Sequence, residues 1–341
     1  MRFGPVALSE AEGAILAHSV APVPAGGGKP YKIAKGTVLD LRHLADLAAS
    51  GVEQVWVARL DAGDLHEDAA AAQLAAALVP DNSGLIVEKP ITGRVNLRAA
   101  GAGIVELDAG SIHAANRINP AITIATVAPW KRLEPRGLAV TVKIIPFGVD
   151  AGDLARACDA ARGAIRLRSP QVASASLIET RVGTGAPSDT LPDKGRKAIQ
   201  TRLGRFDVGL SERCVVAHDP GDIADALCAA SGELLLILTG SATSDIRDTA
   251  PQAVVDAGGE ITCYGMPVDP GNLLFIGHLG AKCVIGLPGC ARSIAMNGAD
   301  WVLERVICGL PVRAGDIAAM GVGGLLKEIP SRPMPRAGIK R

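Results

Sequence analysis

The chain changes character within one stretch, Leu234-Leu-Leu-Ile-Leu-Thr-Gly-Ser-Ala-Thr-Ser-Asp-Ile-Arg-Asp248. It begins as a continuous apolar run of strand length and then breaks into small, hydroxyl-bearing and acidic residues. Beyond it, Ala250, Ala253, Val254 and Ala257 recur at the spacing of one helix face. The stretch therefore predicts a buried strand, a tight turn and a helix. In open α/β sheets, such a turn at the carboxyl edge is a common ligand site.

The predicted turn carries groups that suit a phosphate. Backbone N–H groups at a helix start can face an anion. Four hydroxyl side chains can add donors, namely Thr239, Ser241, Thr243 and Ser244. Asp245 and Asp248 are candidate ligands for a divalent cation, because Mg²⁺ prefers carboxylates together with phosphate oxygens. The alternative is a serine-rich connector in which an aspartate only caps the helix, and the stretch alone leaves both interpretations open.

Whole-chain composition argues against several classes of partner. The 341 residues contain 35 Lys and Arg and 35 Asp and Glu, so no net charge favours nucleic acid or an acidic membrane surface. Aromatic residues make up only 3%, which argues against a base-stacking surface. The seven cysteines are odd in number and form no C-x-x-C pair, which argues against a disulfide framework or a structural zinc site.

No segment has the pattern of a membrane or export signal. The N-terminus lacks the basic start and apolar core of a signal peptide, and no apolar run approaches the roughly 20 residues that span a bilayer. We therefore expect a cytoplasmic protein.

The order of predicted elements divides the chain. A helix over 37–50, a strand over 52–58 and a helix over 69–79 that starts at Asp64-Leu-His-Glu67 predict a smaller α/β or mixed domain over 1–150. A connector over 151–174 follows. Strands then alternate with amphipathic helices over 175–330, which predicts a three-layer α/β domain with a mostly parallel sheet. Residues 331–341 are a tail.

Two further loops follow strands of the predicted second domain. They are Met266-Pro-Val-Asp-Pro-Gly-Asn272 and Gly286-Leu-Pro-Gly-Cys-Ala-Arg-Ser293. Glycines there permit close backbone approach to a ligand, and Arg292 can bind a phosphate or carboxylate with its forked guanidinium. The alternative is two ordinary loops, but three such loops at strand ends favour a shared pocket. The chain has neither a Walker-type phosphate loop nor a G-x-S-x-G elbow.

The same segments carry a family resemblance. The segments are Ser244-Asp-Ile-Arg-Asp248, Gly265-Met-Pro-Val-Asp-Pro-Gly-Asn-Leu-Leu274, Gly286-Leu-Pro-Gly-Cys-Ala-Arg-Ser293, Asn297-Gly298, Asp300-Trp301, Met320-Gly-Val-Gly-Gly-Leu-Leu326, and in the first half Thr92-Gly-Arg-Val-Asn-Leu97 and Val142-Lys-Ile-Ile-Pro-Phe147. Together they resemble the molybdopterin-binding domain of molybdenum cofactor biosynthesis proteins, and more narrowly the alphaproteobacterial branch of molybdopterin molybdotransferase-like proteins.

The resemblance implies a ligand and a reaction. It implies that molybdopterin and its phosphate, or the adenylylated form, bind over the carboxyl edge of the sheet, and that Mg²⁺ assists molybdate insertion with release of AMP. The implied pterin and phosphate contacts are Thr239, Gly240, Ser241, Thr243, Ser244, Pro270, Gly271, Asn272, Gly286, Pro288, Gly289 and Arg292. Asp245 and Asp248 are the implied catalytic and metal-binding residues. The family also implies a homo-oligomer.

The chain departs from the family pattern where acids are usual. The family loop reads Thr-Gly-Gly-x-Ser-x-Gly-x-x-Asp, whereas Ser241, Thr243 and Asp245 stand at its second glycine, its serine and its third glycine. Leu234 replaces an acid at the strand start, with Glu233 one residue away, and Thr184-Gly-Ala-Pro187 lacks the acids of the family's Thr-Gly-Asp-Glu. Phosphoryl chemistry depends on carboxylates at the phosphates, so two hypotheses follow. The first is a molybdotransferase-like enzyme, and the second is a non-catalytic carrier that passes the cofactor to a cytidylyltransferase or an apo-molybdoenzyme.

Overall fold

The computed structural model describes residues 1–183, 193–269 and 271–326. The chain forms two compact units, residues 1–101 with 105–167 and residues 102–104 with 168–341. The segment predicted as a connector, 151–174, contains a helix whose Leu154, Ala157 and Cys158 belong to the core of the first unit. The predicted tail at 331–341 lies outside the described residues.

The first unit mixes helices with small sheets. Its elements are β1 (Arg2–Ala7), β2 (Ile15–Leu16), α1 (Leu41–Ala49), β3 (Gln54–Arg59), β4 (Asp64–His66), α2 (Glu67–Leu78), β5 (Leu85–Val87), β6 (Arg94–Ala99), β7 (Gly103–Leu107), α3 (Ala109–Ile118), β8 (Ile122–Thr126), β9 (Arg132–Leu133), β10 (Leu138–Ile144), β11 (Gly148–Asp150), α4 (Ala151–Ala160) and β12 (Ile165–Arg168). The strands pair in the orders β1-β3-β2, β5-β6-β10-β8, β11-β4 and β12-β7-β9. The mixed α and β character predicted for the first half is confirmed.

The start of α2 differs from the prediction. His66, not Asp64, is the N-cap residue, and its Nδ1 accepts the N–H of Asp68 at 3.3 Å. Asp64 lies in β4, where its carboxylate accepts the N–H of Asp61 and pairs with the N-terminal ammonium of Met1, both at 2.7 Å. These partners hold the pKa of Asp64 below its usual range, the ammonium first. Asp64 therefore joins two strands instead of starting a helix.

The second unit is built on one large sheet. Its elements are β13 (Ser174–Arg181), α5 (Lys194–Gly204), β14 (Gly209–Leu210), β15 (Cys214–Ala217), α6 (Pro220–Ala229), β16 (Leu234–Leu238), α7 (Thr249–Asp256), β17 (Glu260–Met266), β18 (Asn272–Leu279), β19 (Lys282–Leu287), α8 (Gly298–Ile307) and α9 (Ala314–Ala319). The order is β14-β13-β16-β19-β18-β17, and β15 pairs with the later half of β13. All pairings are parallel except those of β18 with β19 and β17. The predicted mostly parallel sheet is confirmed.

Helices cover both faces of this sheet. Leu235 and Ile237 of β16 pack with the apolar sides of α6 and α7, in a core that includes Ile223 and Val254. Their neighbour Leu238 faces the opposite way, toward the start of α5. The fully buried strand thus serves two helix layers, as its continuous apolar run predicts. The predicted three-layer architecture is confirmed.

One buried cation joins the elements on the α5 side of the sheet. The Arg202 guanidinium on α5, 3% exposed, donates to the Asp300 carboxylate of α8 at 2.7 Å. It also donates to the carbonyls of Ala291, Ser293 and Ala295 at 2.9, 2.7 and 3.1 Å. The other Asp300 oxygen accepts the N–H of Asn297, completing the capping box of α8. Arg202 therefore joins the segment after β19 to both α5 and α8.

Within residues 1–183, 193–269 and 271–326, no helix is both long and apolar enough to cross a bilayer.

We expect the substitution Arg202→Met to lower the free energy of unfolding by about 3–5 kcal/mol, because it removes the nearest cation from the buried Asp300 carboxylate and the guanidinium donor from three loop carbonyls. Urea denaturation at neutral pH measures the loss. The matched control is Lys197→Met on the same helix, whose side chain is 73% exposed and which should change stability by only about 0.5 kcal/mol. Equal losses in the two variants would contradict the role assigned to Arg202.

Candidate functional site

The Asp248 carboxylate bonds the loop before α7 with one oxygen and caps α7 with the other. Its Oδ2 accepts the N–H of Ser244 at 2.8 Å, and its Oδ1 accepts the N–H of Thr249 at 2.7 Å. These two hydrogen bonds, that from Ser244 first, hold the pKa of Asp248 below the usual range of an aspartate. The same carboxylate therefore closes the loop after β16 and starts the helix.

Neighbouring strands hold the loop 239–248 in place. The N–H of Gly240 donates to the hydroxyl of Thr180 on β13 at 2.8 Å. A Cβ on Gly240 would lie 2.7 Å from the Thr180 carbonyl oxygen, so this close approach requires glycine. On the other side, the phenol of Tyr264 on β17 donates to the Thr243 carbonyl at 2.7 Å. The loop is thus fixed at the carboxyl edge, where the sequence predicts the site.

Asp245 is the more available of the two predicted acids. Its side chain is 64% exposed, and its Oδ1 accepts the N–H of Arg247 at 2.8 Å. Its Oδ2 has no protein partner within the described part of the chain. Burial raises the pKa of the Tyr264 phenol, and the charges of Asp245 and Asp248 raise it further, so the two acids lie on the side of the loop that Tyr264 supports.

The loop after β19 meets the loop after β16 through Arg292. Its Nη2 donates to the Thr239 carbonyl at 2.6 Å. Beside this contact lies a pocket of about 310 Å³, lined by Lys194, Gly195, Gly289, Cys290, Arg292 and Ser293. The charged residues in this lining are both cations, and a Cβ on Gly289 would meet nothing within 4 Å. The pocket is suited to an anion.

The hairpin 266–272 borders the same edge of the sheet. Asn272 is buried, and its Oδ1 accepts the N–H of Leu274 at 3.2 Å. Gly271 has a φ of +95°, which explains the glycine in this turn. The hairpin packs on the start of α8, where a Cβ on Gly298 would lie 2.7 Å from Met266. Pro270 lies outside the described residues.

The predicted binding residues differ in how accessible they are. Six are exposed to solvent or partly so: Thr239, Gly240, Ser241, Ser244, Gly271 and Gly289. Arg292 lines the pocket. Thr243, Asn272, Gly286 and Pro288 are buried. A Cβ on Gly286 would lie 1.9 Å from the Phe275 ring, so this glycine serves the packing of β19 on β18. The ligand contacts predicted for all of these residues stay predictions.

Several residues of the site were not predicted from the sequence. Lys194 and Gly195 begin α5 and line the pocket, and the alternation of strands and helices over 175–330 is the signal that would have pointed to such a helix start. Thr180 and His218 lie at the ends of β13 and β15, and a hydrogen bond of 2.9 Å joins Oγ1 of Thr180 to Nδ1 of His218. Across residues 1–183, 193–269 and 271–326, no three His, Cys, Asp or Glu side chains converge as a set of metal ligands.

Comparison with known proteins gives one family match and several similar structures. Residues 5–59 match the model of a family described as a domain of unknown function, DUF8806. No curated protein matches the chain significantly. Among solved structures, the chain is similar to a molybdopterin biosynthesis moeA protein from Pyrococcus horikosii, with a TM-score of 0.31 and 13% identity, over 90% of this chain and 75% of that chain.

Two shorter structures are similar to about two fifths of the chain. A molybdenum cofactor biosynthesis protein B has a TM-score of 0.31 and 17% identity, over 41% of this chain and 96% of its own. The protein CinA from Thermoplasma acidophilum, described as of unknown function, has a TM-score of 0.30 and 17% identity, over 36% of this chain and 92% of its own. Because these scores are all below 0.5, the function proposed below rests on the chain's own residues.

The two glycines of the Gly-Leu-Pro-Gly segment should respond differently to alanine. We expect Gly286→Ala to lower the free energy of unfolding by about 1–3 kcal/mol, because the new methyl group overlaps the Phe275 ring. Gly289→Ala, which points into open space, should change it by about 0.5 kcal/mol or less. Urea denaturation of the two variants measures the difference, and a larger loss in Gly289→Ala would be evidence against the packing described.

Asp248→Ala should lower stability by about 1 kcal/mol at neutral pH, because it removes the cap of α7. Since folding lowers the pKa of Asp248 below its value of 3.8, the stabilisation is present above that pH and is lost as the pH falls through the folded-state pKa. The gap between wild type and Asp248→Ala should therefore close in acid. Thermal unfolding between neutral pH and pH 3 tests this, with exposed Asp245→Ala as the control, and a gap that is independent of pH would contradict it.

Proposed function

We propose that the second unit binds molybdopterin or its adenylylated form at the carboxyl edge of its sheet, in molybdenum cofactor biosynthesis. The observation that carries the proposal is the cationic pocket between the start of α5 and the loop after β19, placed beside the loop 239–248 by the contact of Arg292 with Thr239. Of the family motifs noted in the sequence, Gly286–Ser293 supplies four of the lining residues, and Arg292 in it contacts the start of the loop 239–248.

The phosphate of such a ligand would bind the two cations. Lys194 has no ion-pair partner within the described residues, and Arg292 uses only its Nη2 in the contact with Thr239. The remaining guanidinium donors can therefore form the charge-assisted hydrogen bonds that phosphate oxygens favour. Gly289 leaves the space above them open to the ligand.

The donor set fits a Mg²⁺ ion shared with the ligand better than one held by protein alone. The oxygens of Asp248 are both engaged by N–H groups, whereas Oδ2 of Asp245 has no protein partner in the described residues. Mg²⁺ is commonly held by one or two carboxylates, phosphate oxygens and water, so Asp245 would be its principal protein ligand. The bound ion would neutralise phosphate charge.

In the enzyme form of this proposal, the substrates are adenylylated molybdopterin and molybdate, and the products are the molybdenum cofactor and AMP. A water molecule would attack the adenylyl phosphorus and the P–O–P bond would break, so that AMP leaves with the incoming oxygen and molybdopterin keeps its own phosphate. Molybdenum would bind the two dithiolene sulfurs, and the oxide that they displace from molybdate would leave as water. The protein would contribute positioning and electrostatic stabilisation. Lys194 and Arg292 would stabilise the negative charge that develops on the phosphate oxygens. These donors are preorganised because α5 and the Arg202 ion pair fix the pocket wall.

The carrier form is favoured because the carboxylates of Asp248 and Glu233 are hydrogen-bonded to backbone N–H groups. Asp248 caps α7 with one oxygen and accepts the N–H of Ser244 with the other. Glu233 precedes β16 at the amino edge, and its carboxylate accepts the N–H of Ala173 at 2.8 Å. It lies at the opposite end of the strand from the loop 239–248, roughly 17 Å away for five strand residues. A carrier would retain the cofactor and pass it to a cytidylyltransferase or an apo-molybdoenzyme.

One assay separates these forms. We would incubate the purified chain with adenylylated molybdopterin, Mg²⁺ and molybdate, and follow AMP release and retained pterin. We expect pterin to be retained, and retention to fall about tenfold or more in Lys194→Gln, which removes a charge-assisted contact. Lys197→Gln, one turn further along α5 and 73% exposed, is the matched control and should bind like wild type.

The outcomes assign the form. Molybdate-dependent AMP release that is lost in Asp245→Asn, but not in Asp225→Asn on the exposed side of α6, would establish the enzyme. Retention without release would establish the carrier. If the chain neither retains pterin nor releases AMP, the pterin site is refuted.

A further inference from the structure

A buried hydroxyl links the loop 239–248 to a histidine. Thr180 on β13 is completely buried. Its Oγ1 accepts the N–H of Gly240 at 2.8 Å and lies 2.9 Å from Nδ1 of His218. The backbone N–H of His218 donates to the Arg181 carbonyl at 2.9 Å, which fixes the histidine beside the end of β13. The three residues therefore form a short chain of hydrogen bonds across two strand ends.

Counting protons along this chain assigns the histidine tautomer. A threonine hydroxyl has one proton to donate and can accept two hydrogen bonds. If Nδ1 of His218 carried a proton and donated it, the Thr180 hydroxyl proton would be buried without an acceptor among the described residues, which is costly. If the hydroxyl donates to Nδ1, all groups are satisfied. The ring proton is then on Nε2.

Nε2 of His218 lies on the side of the ring away from Thr180. The histidine follows β15 at the carboxyl edge of the sheet and is partly exposed. The hydroxyl of Thr180 places His218 two hydrogen bonds from Gly240 in the loop 239–248. Each oxygen of Asp248 accepts one N–H, from Ser244 or from Thr249, and no hydrogen bond joins Asp248 to His218 within the described residues. Nε2–H is thus a donor beside the loop, without a protein acceptor in the described residues.

We propose that His218 is a ligand-binding residue whose Nε2–H donates to a phosphate oxygen of the ligand bound at the loop 239–248, and that Thr180 is the positioning residue that sets its tautomer. This inference rests on the proposed function, because it names a contact of the same ligand. It adds a neutral donor at the loop 239–248, outside the lining of the pocket that contains Lys194 and Arg292. It also couples that donor to the Gly240 backbone through one hydroxyl.

Two amide substitutions distinguish ligand binding from a structural role. Asparagine at 218 places its amide oxygen near the position of Nδ1, where it can accept from Thr180, but it offers no donor near Nε2. Glutamine reaches further and can place its N–H near Nε2. If Nε2 binds the ligand, His218→Gln retains affinity for molybdopterin, and His218→Asn loses about tenfold or more. If the histidine only supports Thr180, the order is reversed.

The measurement is equilibrium dialysis of the full chain against molybdopterin, with bound pterin quantified by fluorescence after oxidation. Circular dichroism and melting temperature establish that each variant is folded, and Thr180→Val should weaken binding as well. Affinity that is retained in His218→Gln and lost in His218→Asn supports the inference. The reverse order of affinities overturns the inference, and so does a loss of affinity in both variants or in neither. In each of these cases, binding of molybdopterin by the wild-type chain leaves the proposed function intact. Absence of binding by wild type overturns both.

Discussion

The buried Arg202 guanidinium is the constraint on which the rest of the site depends. A charge removed from water is tolerated only when its hydrogen bonds are complete. Here they are completed by one carboxylate, by the Ala198 carbonyl of its own helix and by carbonyls from the segment 291–295, which forms no strand. The cation therefore holds an irregular segment through its backbone. Arg292 and Gly289, which line the pocket, lie in or beside that segment.

The conformation of the loop 239–248 is set by contacts with neighbouring strands and loops instead of by its own sequence. Arg292 holds Thr239, the hydroxyl of Thr180 holds Gly240, and the phenol of Tyr264 holds Thr243. Each contact comes from a different strand or loop. A family loop rich in glycine can adopt its conformation with little strain, whereas this loop carries side chains at two of the glycine positions. The extra contacts from neighbouring strands are consistent with that difference.

The sequence predicts what depends on local pattern and misses what depends on distant partners. The apolar run 234–238 and the periodic helix after it are correctly predicted, because burial on both faces leaves a continuous signal. The role of Arg202 could not be predicted, since its partner Asp300 is 98 residues away and an arginine on a helix is usually exposed. Gly286 illustrates the same limit: the motif predicts a ligand contact, but only the position of the Phe275 ring explains why a side chain is excluded.

The arrangement of charge bears on the choice between enzyme and carrier. Metal-assisted phosphoryl transfer needs carboxylates with free lone pairs close to the phosphates. In the described part of this site, Asp248 is occupied as a cap, and Glu233 is bonded at the opposite edge of the sheet. The cations Lys194 and Arg292 remain available to an anion. Under the proposed function, these cations would bind the phosphate of the ligand before any reaction, and binding that is equally strong in the transition state does not accelerate a reaction. Asp245, placed where the family has glycine, is the one described carboxylate of the loop that can change this balance.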